Sequence, residues 1–312
     1  MSGAGARDAR LAAQAPSPGV GRRPHAALRL RGRQLPAGST PAVMGILNVT
    51  PDSFSDGGLW LDPRAAVEHG LAMLAAGADL LDLGAESTRP GGGVYGPGAE
   101  EVPAARELER LLPVLRQLRA ATDAPLSVDT RKAEVAEIAL SEGADLINDV
   151  SALEDPGMAA LVARRGCPVI LMHSRGELAT MQRGIGFADP AAEVAAELAE
   201  AAARAMAAGI AREAIILDPG IGFGKTAEHN LDLLRRLDEL VGLGYPVVVG
   251  ASRKSFLAAV VDAPPAGRLA GSLAAAAWAA HHGAALLRVH DVAETRQFLA
   301  VWGAIERAGA AA

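Results

Sequence analysis

A chain of 312 residues, 50% hydrophobic and 21% charged, has an ordinary globular balance and the length of one large α/β domain. Its net charge of −6 excludes a global basic field for nucleic acid or an anionic membrane, so any bound anion must be gripped locally. One cysteine, Cys167, excludes an internal disulfide and a thiolate metal cluster.

In chain order, residues 1–26 are rich in Ala, Gly, Arg and Pro and lack the apolar core of a secretory signal. They read as a disordered N-terminal extension, followed by one folded domain over residues 27–308. The segment LRLRGRQL at 28–35 reads as a short β-hairpin around Gly32 that closes the floor of the domain. From residue 43 onward a short apolar run, a polar or Gly-bearing turn and a helical segment alternate. The runs are 43–48, 79–84, 126–129, 145–150, 169–173, 214–218, 247–250 and 286–290. Between them, stretches such as Ala104 to Ala120 and Ala191 to Ala208 show helical spacing. Gly77, Gly143, Gly166, Gly209, Gly244 and Gly283 stand where helix C-caps belong. Aromatics are only 3%, so the core is Ala, Val, Leu and Ile, as in a parallel sheet covered by Ala-rich helices. No stretch reaches the ~20 apolar residues of a membrane span. The expected setting is the cytoplasm.

Eight strands alternating with helices close into a barrel or open into a doubly wound sheet. An open sheet gathers its ligand residues at one switch point; here polar residues end nearly every strand. The expectation is a (β/α)8 TIM barrel with a short N-terminal β-hairpin and its active site at the C-terminal strand ends. Those ends supply Asn48, Glu86 with Thr88, Asp129, Asn148, His173, Asp218, Ser252 with Lys254, and Arg288 with His290. Any one of them alone is explained as a helix cap; their convergence on one mouth is not.

The set sorts by chemistry. Asp129, Asn148 and Asp218 suit the hydrogen-bonding edge of a pterin-like ring, because an analogue lacking the donors leaves buried acceptors unpaired. Arg288 and His290, two apart on a strand, face the same way and can grip an anion. Asn48 offers one neutral oxygen, which suits a Mg2+ ion that keeps its waters and takes charge from substrate phosphates. DPGIGFGKT at 218–226 is not a P-loop, since Pro219 stands where the first glycine belongs. Its glycines are expected to let backbone approach a flat ligand lined by Phe223. Gly57 and Gly58, and Gly91 to Gly93, mark two mobile loops over the mouth. Ser252 to Ser255 should open a helix whose free N–H groups form an anion site, with Lys254 bridging two ligands. His25, His69, His229, His281 and His282 lie outside the strand ends and read as structural or surface residues.

ILNVTPDSFSDGG (46–58), DLGAESTRPGG (82–92), SVDT (127–130), INDVSA (147–152), DPGIGFGKT (218–226), SRKSFL (252–257) and RVHD (288–291) together resemble the dihydropteroate synthase family of pterin-binding TIM barrels. The resemblance runs from about residue 28 to 305. It implies a transferase that joins 6-hydroxymethyl-7,8-dihydropterin diphosphate to p-aminobenzoate, giving 7,8-dihydropteroate and diphosphate by an SN1-like step. Asn48 would bind Mg2+ and diphosphate, completed by Arg288 and His290 with Val289 between them. Asp129, Asn148, Asp218 and Lys254 would hold the pterin, with Met172 and Phe223 against its faces. Thr88, Pro90, Phe54 and Ser255 would form the p-aminobenzoate pocket. Asp52 and Asp56, on the first loop, join Lys254, Arg288 and His290 in the catalytic set. The family also implies a homodimer. Ser174, where the family pattern has a bulky apolar residue, and 176–189, without the family's aromatic, alter the rim. Two alternatives stay open: a pterin-dependent methyltransferase domain, which needs no diphosphate grip, and a non-catalytic pterin-binding paralogue, which should have lost Lys254, Arg288 or the TRPGG loop.

Overall fold

Successive side chains on a strand face opposite ways, and the apolar runs of this chain serve two cores at once. The computed structural model describes residues 26–36, 40–50, 62–87, 102–177 and 180–310. A hairpin of β1 (Leu28–Leu30) and β2 (Arg33–Leu35) is followed by eight strands: β3 (Ala42–Asn48), β4 (Leu80–Gly84), β5 (Leu126–Asp129), β6 (Leu146–Asp149), β7 (Val169–Met172), β8 (Ile215–Asp218), β9 (Val248–Val249) and β10 (Leu286–Val289). All eight pair in parallel in the order β8-β7-β6-β5-β4-β3-β10-β9. A parallel bridge between Leu217 and Val247 joins the two ends, and the Leu217 N–H donates to the Pro246 carbonyl at 2.9 Å. The sheet is therefore the expected barrel. Its weakest seam is β9, where only two of the four expected residues form strand.

The helices on the outside are α1 (Pro63–Ala75), α2 (Ala104–Ala121), α3 (Ala133–Ser141), α4 (Met158–Arg165), α5 (Pro190–Ala207), α6 (Ala227–Arg235), α7 (Leu237–Val241), α8 (Ala258–Val261), α9 (Leu269–His281) and α10 (Val292–Ala310). Their starts carry the expected chemistry. The Asp62 carboxylate accepts from Arg64 N at 3.0 Å ahead of Pro63, and Asp189 accepts from Ala192 N at 3.1 Å ahead of Pro190. His229 reciprocates the Thr226 cap of α6, which is the structural role expected of it. All six glycines expected to end helices have φ between 62° and 103°.

Odd and even strand positions part company. Val43, Leu47, Leu81, Leu83, Val128, Ile147, Leu171 and Leu217 face the helices, where small residues such as Ala202, Ala205, Ala279 and Ala280 let strand and helix approach. Ala42, Met44, Leu80, Leu146, Ile170, Ile216, Val248 and Leu286 fill the barrel, sealed below by Leu28, Leu30 and Leu35 of the hairpin. The hairpin is thus the floor. Two residues further along four of the strands the same inward face turns polar, to Asp82, Asn148, Asp218 and Arg288. An apolar plug beneath polar strand ends fixes which end of the barrel does chemistry.

One local expectation fails. Ser252 to Ser255 does not open a full helix: Ser255–Leu257 is a 3-10 turn that leads into the four residues of α8. The Arg253 N–H donates to Ser272 Oγ at 2.9 Å and the Lys254 N–H to Ala251 O at 3.4 Å. So short an element has little dipole, and these N–H groups are already engaged. Anion affinity here must come from side chains.

Candidate active site

Strand register assembles the mouth. Asn48 pairs with Gly84, Gly84 with Asp129, and Asp129 with Asn148, so the four stand side by side on adjacent strands. Gly84 leaves room between its neighbours: a Cβ there would lie 3.6 Å from the Asp129 Cβ and 3.7 Å from Asn48 Oδ1. Arg288 ties the layer together from β10. Its Nε donates to Asp82 Oδ2 at 2.6 Å and its Nη2 to Asp129 Oδ2 at 2.9 Å. Asn148 Nδ2 donates to the same Asp82 oxygen at 3.0 Å. The other oxygens, Asp82 Oδ1 and Asp129 Oδ1, are buried and have no hydrogen-bond partner among the described residues. Buried acceptors in that state are costly unless a donor comes to them.

Burial decides the electrostatics. It pushes the Asp129 carboxyl up to about 8, Arg288 opposing and Asp82 adding to the rise. Burial likewise raises Asp218, against the pull of Lys254, and the Asp218 carboxylate also accepts from Gly220 N at 2.7 Å. Lys254 is itself pushed down to about 8 by burial, against the pull of Asp218. Its ammonium donates to the Ile221 carbonyl and sits 4.6 Å from the centroid of the Phe223 ring. Burial and then Arg288 hold His290 down at about 4. Ser252 Oγ accepts from the His290 backbone N–H at 3.3 Å and lies 3.1 Å from Nδ1. The Ser252 hydroxyl can donate to Nδ1, an arrangement that sets the proton of the neutral imidazole on Nε2. Met172 closes the layer from β7, where it is buried and faces inward like Ile170.

The structure thus brings together Asn48, Asp129, Asn148, Met172, Asp218, Phe223, Lys254, Arg288 and His290, with Val289 buried between the last two. Ser255 lies next to Lys254 in the 3-10 turn. Asp52, Phe54, Asp56, Thr88 and Pro90 lie outside the described residues. Two strand-end residues are turned away. Glu86 accepts from Lys132 Nζ at 2.7 Å and Val102 N at 2.9 Å; burial favours its neutral form, but Lys132 prevails and lowers it. His173 points outward, its Nε2 2.9 Å from Glu197 of α5.

Two residues were missed. Asp82 is fully buried in mid-strand, and its signal was a lone charge between Leu81 and Leu83. Lys225, from the rejected P-loop look-alike, is almost completely buried. Its ammonium is 2.9 Å from His173 Nδ1 and donates to Phe223 O at 3.0 Å and Gly220 O at 3.1 Å. Burial brings it down to about 7. Gly220 makes a close approach within the protein: a Cβ there would fall 1.9 Å from the His173 carbonyl oxygen. Lys225 thereby pins the loop that carries Ile221 and Phe223. Lys225→Met is expected to lower stability by about 1–3 kcal/mol through its unpaired carbonyls, read as a lower urea midpoint at unchanged m. An unchanged midpoint would mean the ammonium does not hold the loop.

At the rim, Ser174 Oγ donates to Val150 O at 3.3 Å. The neighbouring Arg175 is bound to Glu197 and Glu193 and lies 4.0 Å from the centroid of the Phe187 ring. Segment 176–189 does carry an aromatic, and it serves to hold Arg175.

The mouth thus combines buried acceptors with one half-buried lysine and one half-buried arginine, in a chain for which comparison with known proteins finds a family. The family described as pterin binding enzyme matches residues 44–290. The dihydropteroate synthase of Escherichia coli (strain K12) is 46% identical over 263 residues, which is 84% of this chain and 91% of that protein. The structure of Xanthomonas albilineans dihydropteroate synthase with 4-aminobenzoic acid superposes with a TM-score of 0.82 at 47% identity, covering 90% of this chain and 98% of that one. The complex of the X. albilineans enzyme with 7,8-dihydropteroate gives 0.78 at 44% identity, with 90% and 98% covered. With identity of this order over nearly the whole barrel, the chain belongs to the pterin binding enzyme family.

Proposed function

We infer that the chain catalyses dihydropteroate synthesis, condensing 6-hydroxymethyl-7,8-dihydropterin diphosphate with p-aminobenzoate and releasing diphosphate. The observation that carries this reading is the set of buried acceptors on Asp129, Asn148 and Asp218 beside Lys254 and Arg288, in a barrel 46% identical to a dihydropteroate synthase. In the proposed arrangement the N–H edge of the pterin meets those acceptors, Lys254 donates to a ring acceptor, and Met172 and Phe223 cover the faces. Arg288, Val289, His290 and Asn48 receive the diphosphate. His290 suits the task as a neutral Nε2–H donor, and Arg288 as a fork that sets two of its five N–H donors on carboxylates and would turn others to the anion. Thr88, Pro90, Phe54 and Ser255 would receive p-aminobenzoate, with Asp52 and Asp56 on the loop above.

The bond from the pterin methylene to the diphosphate oxygen breaks first, and its electron pair leaves with the diphosphate. The aniline lone pair then closes the new C–N bond and the nitrogen gives up a proton. No side chain acts as a nucleophile. The protein's work is to stabilise the charge that develops on the leaving group, and donors aimed at it are worth ~10²–10³ in rate each.

Among the described residues no cluster of His, Cys, Asp and Glu could hold a metal alone, yet the Asn48 amide oxygen fits a hard cation shared with diphosphate. Mg2+ held there by Asn48 would supply positive charge to the leaving oxygens.

A homodimer belongs to the same proposal. Leu269, Leu273, Phe298, Val301, Trp302 and Ile305 line an apolar groove on α9 and α10, where Val301 and Ile305 are 58% and 68% exposed, as a face awaiting a partner would be. So does a reducing, cytoplasmic setting. No helix of the described residues is long and apolar enough to cross a membrane, and burial pushes the Cys167 thiol up to about 11, which keeps it inert.

The test is diphosphate release from the pterin diphosphate with Mg2+, with and without p-aminobenzoate. Release coupled to dihydropteroate is expected. Tight pterin binding without coupled product would make the chain a non-catalytic paralogue.

A further inference from the structure

An asparagine amide is nearly symmetric in shape and opposite in chemistry at its two ends, so its neighbours decide what it offers a ligand. Asn148 is 4% exposed and in register with Asp129. Its Nδ2 donates to Asp82 Oδ2, the oxygen that also accepts from Arg288 Nε. A carboxylate holding an arginine N–H accepts and cannot donate. Turning the amide over would set its carbonyl oxygen about 3.0 Å from a carboxylate oxygen, two acceptors face to face. Asp82 therefore locks the NH2 inward and turns the Asn148 carbonyl away from itself.

We propose that Asp82 is a positioning residue for substrate selectivity, fixing the Asn148 amide so that the barrel mouth presents an acceptor beside Asp129 and Asp218. This rests on the pterin reading above and deepens it. With three acceptors in one layer, a ring whose edge carries N–H groups is matched at every point. A ring with a carbonyl there meets oxygen against oxygen. Without Asp82 the amide can turn and offer its NH2 to that carbonyl, so the site would lose selectivity before it lost affinity. Asp82 acts through Asn148 and Arg288, which explains a carboxyl group buried in mid-strand where packing alone would place Leu or Val.

The test compares two flat ligands of one shape by calorimetry. One is 6-hydroxymethylpterin; the other is 6-hydroxymethyllumazine, which replaces the 2-amino donor with a carbonyl. Wild type is expected to prefer the pterin by ~10³-fold or more. In Asp82→Asn that ratio should fall by ~10–100-fold. The swap Asp82→Asn with Asn148→Asp keeps the charge count and the amide–carboxylate pair, and it returns a fixed acceptor to position 148. It should recover the wild-type ratio. If Asp82→Asn weakens both ligands in parallel and keeps the ratio, Asp82 is merely structural and the inference fails. Should that variant not fold, the swap decides alone: recovered selectivity supports the inference, and a folded swap without it overturns it. A wild-type protein with no preference for the pterin would instead sink the pterin reading, and this inference with it.

Discussion

Arg288→Ala is expected to reduce kcat/KM for the pterin diphosphate by ~10³-fold or more and to lower folding stability by ~3–5 kcal/mol. The two losses share one cause. Arg288 is the only cation hydrogen-bonded to Asp82 and Asp129 among the described residues, and truncating it leaves two buried carboxylates facing each other. Its charge is also the main opponent of burial at Asp129, already at about 8, so its loss drives that carboxyl further up. A leaving-group role would cost turnover much more than pterin binding. Pterin binding should weaken as well, by less than kcat does, because ionising Asp129 to accept from the ring then costs more. Arg288→Lys separates the effects. It restores a charge between the carboxylates but not the fork, so stability should return further than turnover. The measurements are steady-state kinetics, pterin calorimetry and urea midpoints on the three proteins. A kcat for Arg288→Ala equal to wild type would remove this residue from diphosphate departure.

How much of this was legible before folding follows from strand parity. Each inward position two residues beyond a floor residue belongs to the mouth: Leu146 leads to Asn148, Ile170 to Met172, Ile216 to Asp218 and Leu286 to Arg288. Hydrophobic runs bounded by turn residues located the strands to within a residue or two, and eight polar strand ends pointed to closure. His173 was misplaced because strand-end position was read without parity; next to inward Met172 it faces α5. Glu86 lies beyond the end of β4, where parity no longer applies, and Lys132 and Val102, distant in sequence, turn it aside. Asp82 escaped because only Arg288, 206 positions away, explains a carboxylate there. Gly220 and Lys225 escaped because a glycine's partner, backbone or ligand, is a tertiary fact. The Ser252 to Ser255 turn has a helix-start composition, but Ser272 takes the Arg253 N–H that an anion would have needed.

The free enzyme's kcat/KM for the pterin diphosphate is expected to trace a narrow bell centred near pH 8. Donors on the pterin edge need Asp129 ionised, and that form is lost as pH falls through about 8. An acceptor on the ring needs Lys254 protonated, and that form is lost as pH rises through about 8. Each unit away from the centre costs about tenfold on either limb. In the complex, hydrogen bonds to the ionised carboxylate pull Asp129 down and an acceptor against the ammonium holds Lys254 up, so the kcat profile should be broad where kcat/KM is narrow. Asp129→Asn should abolish the acid limb and leave the basic one. Stability supplies an independent check with its own sign. Asp129 titrates near 4 when unfolded and at about 8 when folded, so between those values the folded state keeps a proton that the unfolded state has released. Wild type should therefore lose stability relative to Asp129→Asn as pH rises from 4 to 8 and hold a constant difference above that. Pterin should reverse the trend, protecting wild type most where its ligand-free form is weakest. A stability difference independent of pH would mean that Asp129 is ionised throughout, with Arg288 outweighing burial, and the acid limb would then belong to Asp218, the other buried carboxylate that burial raises.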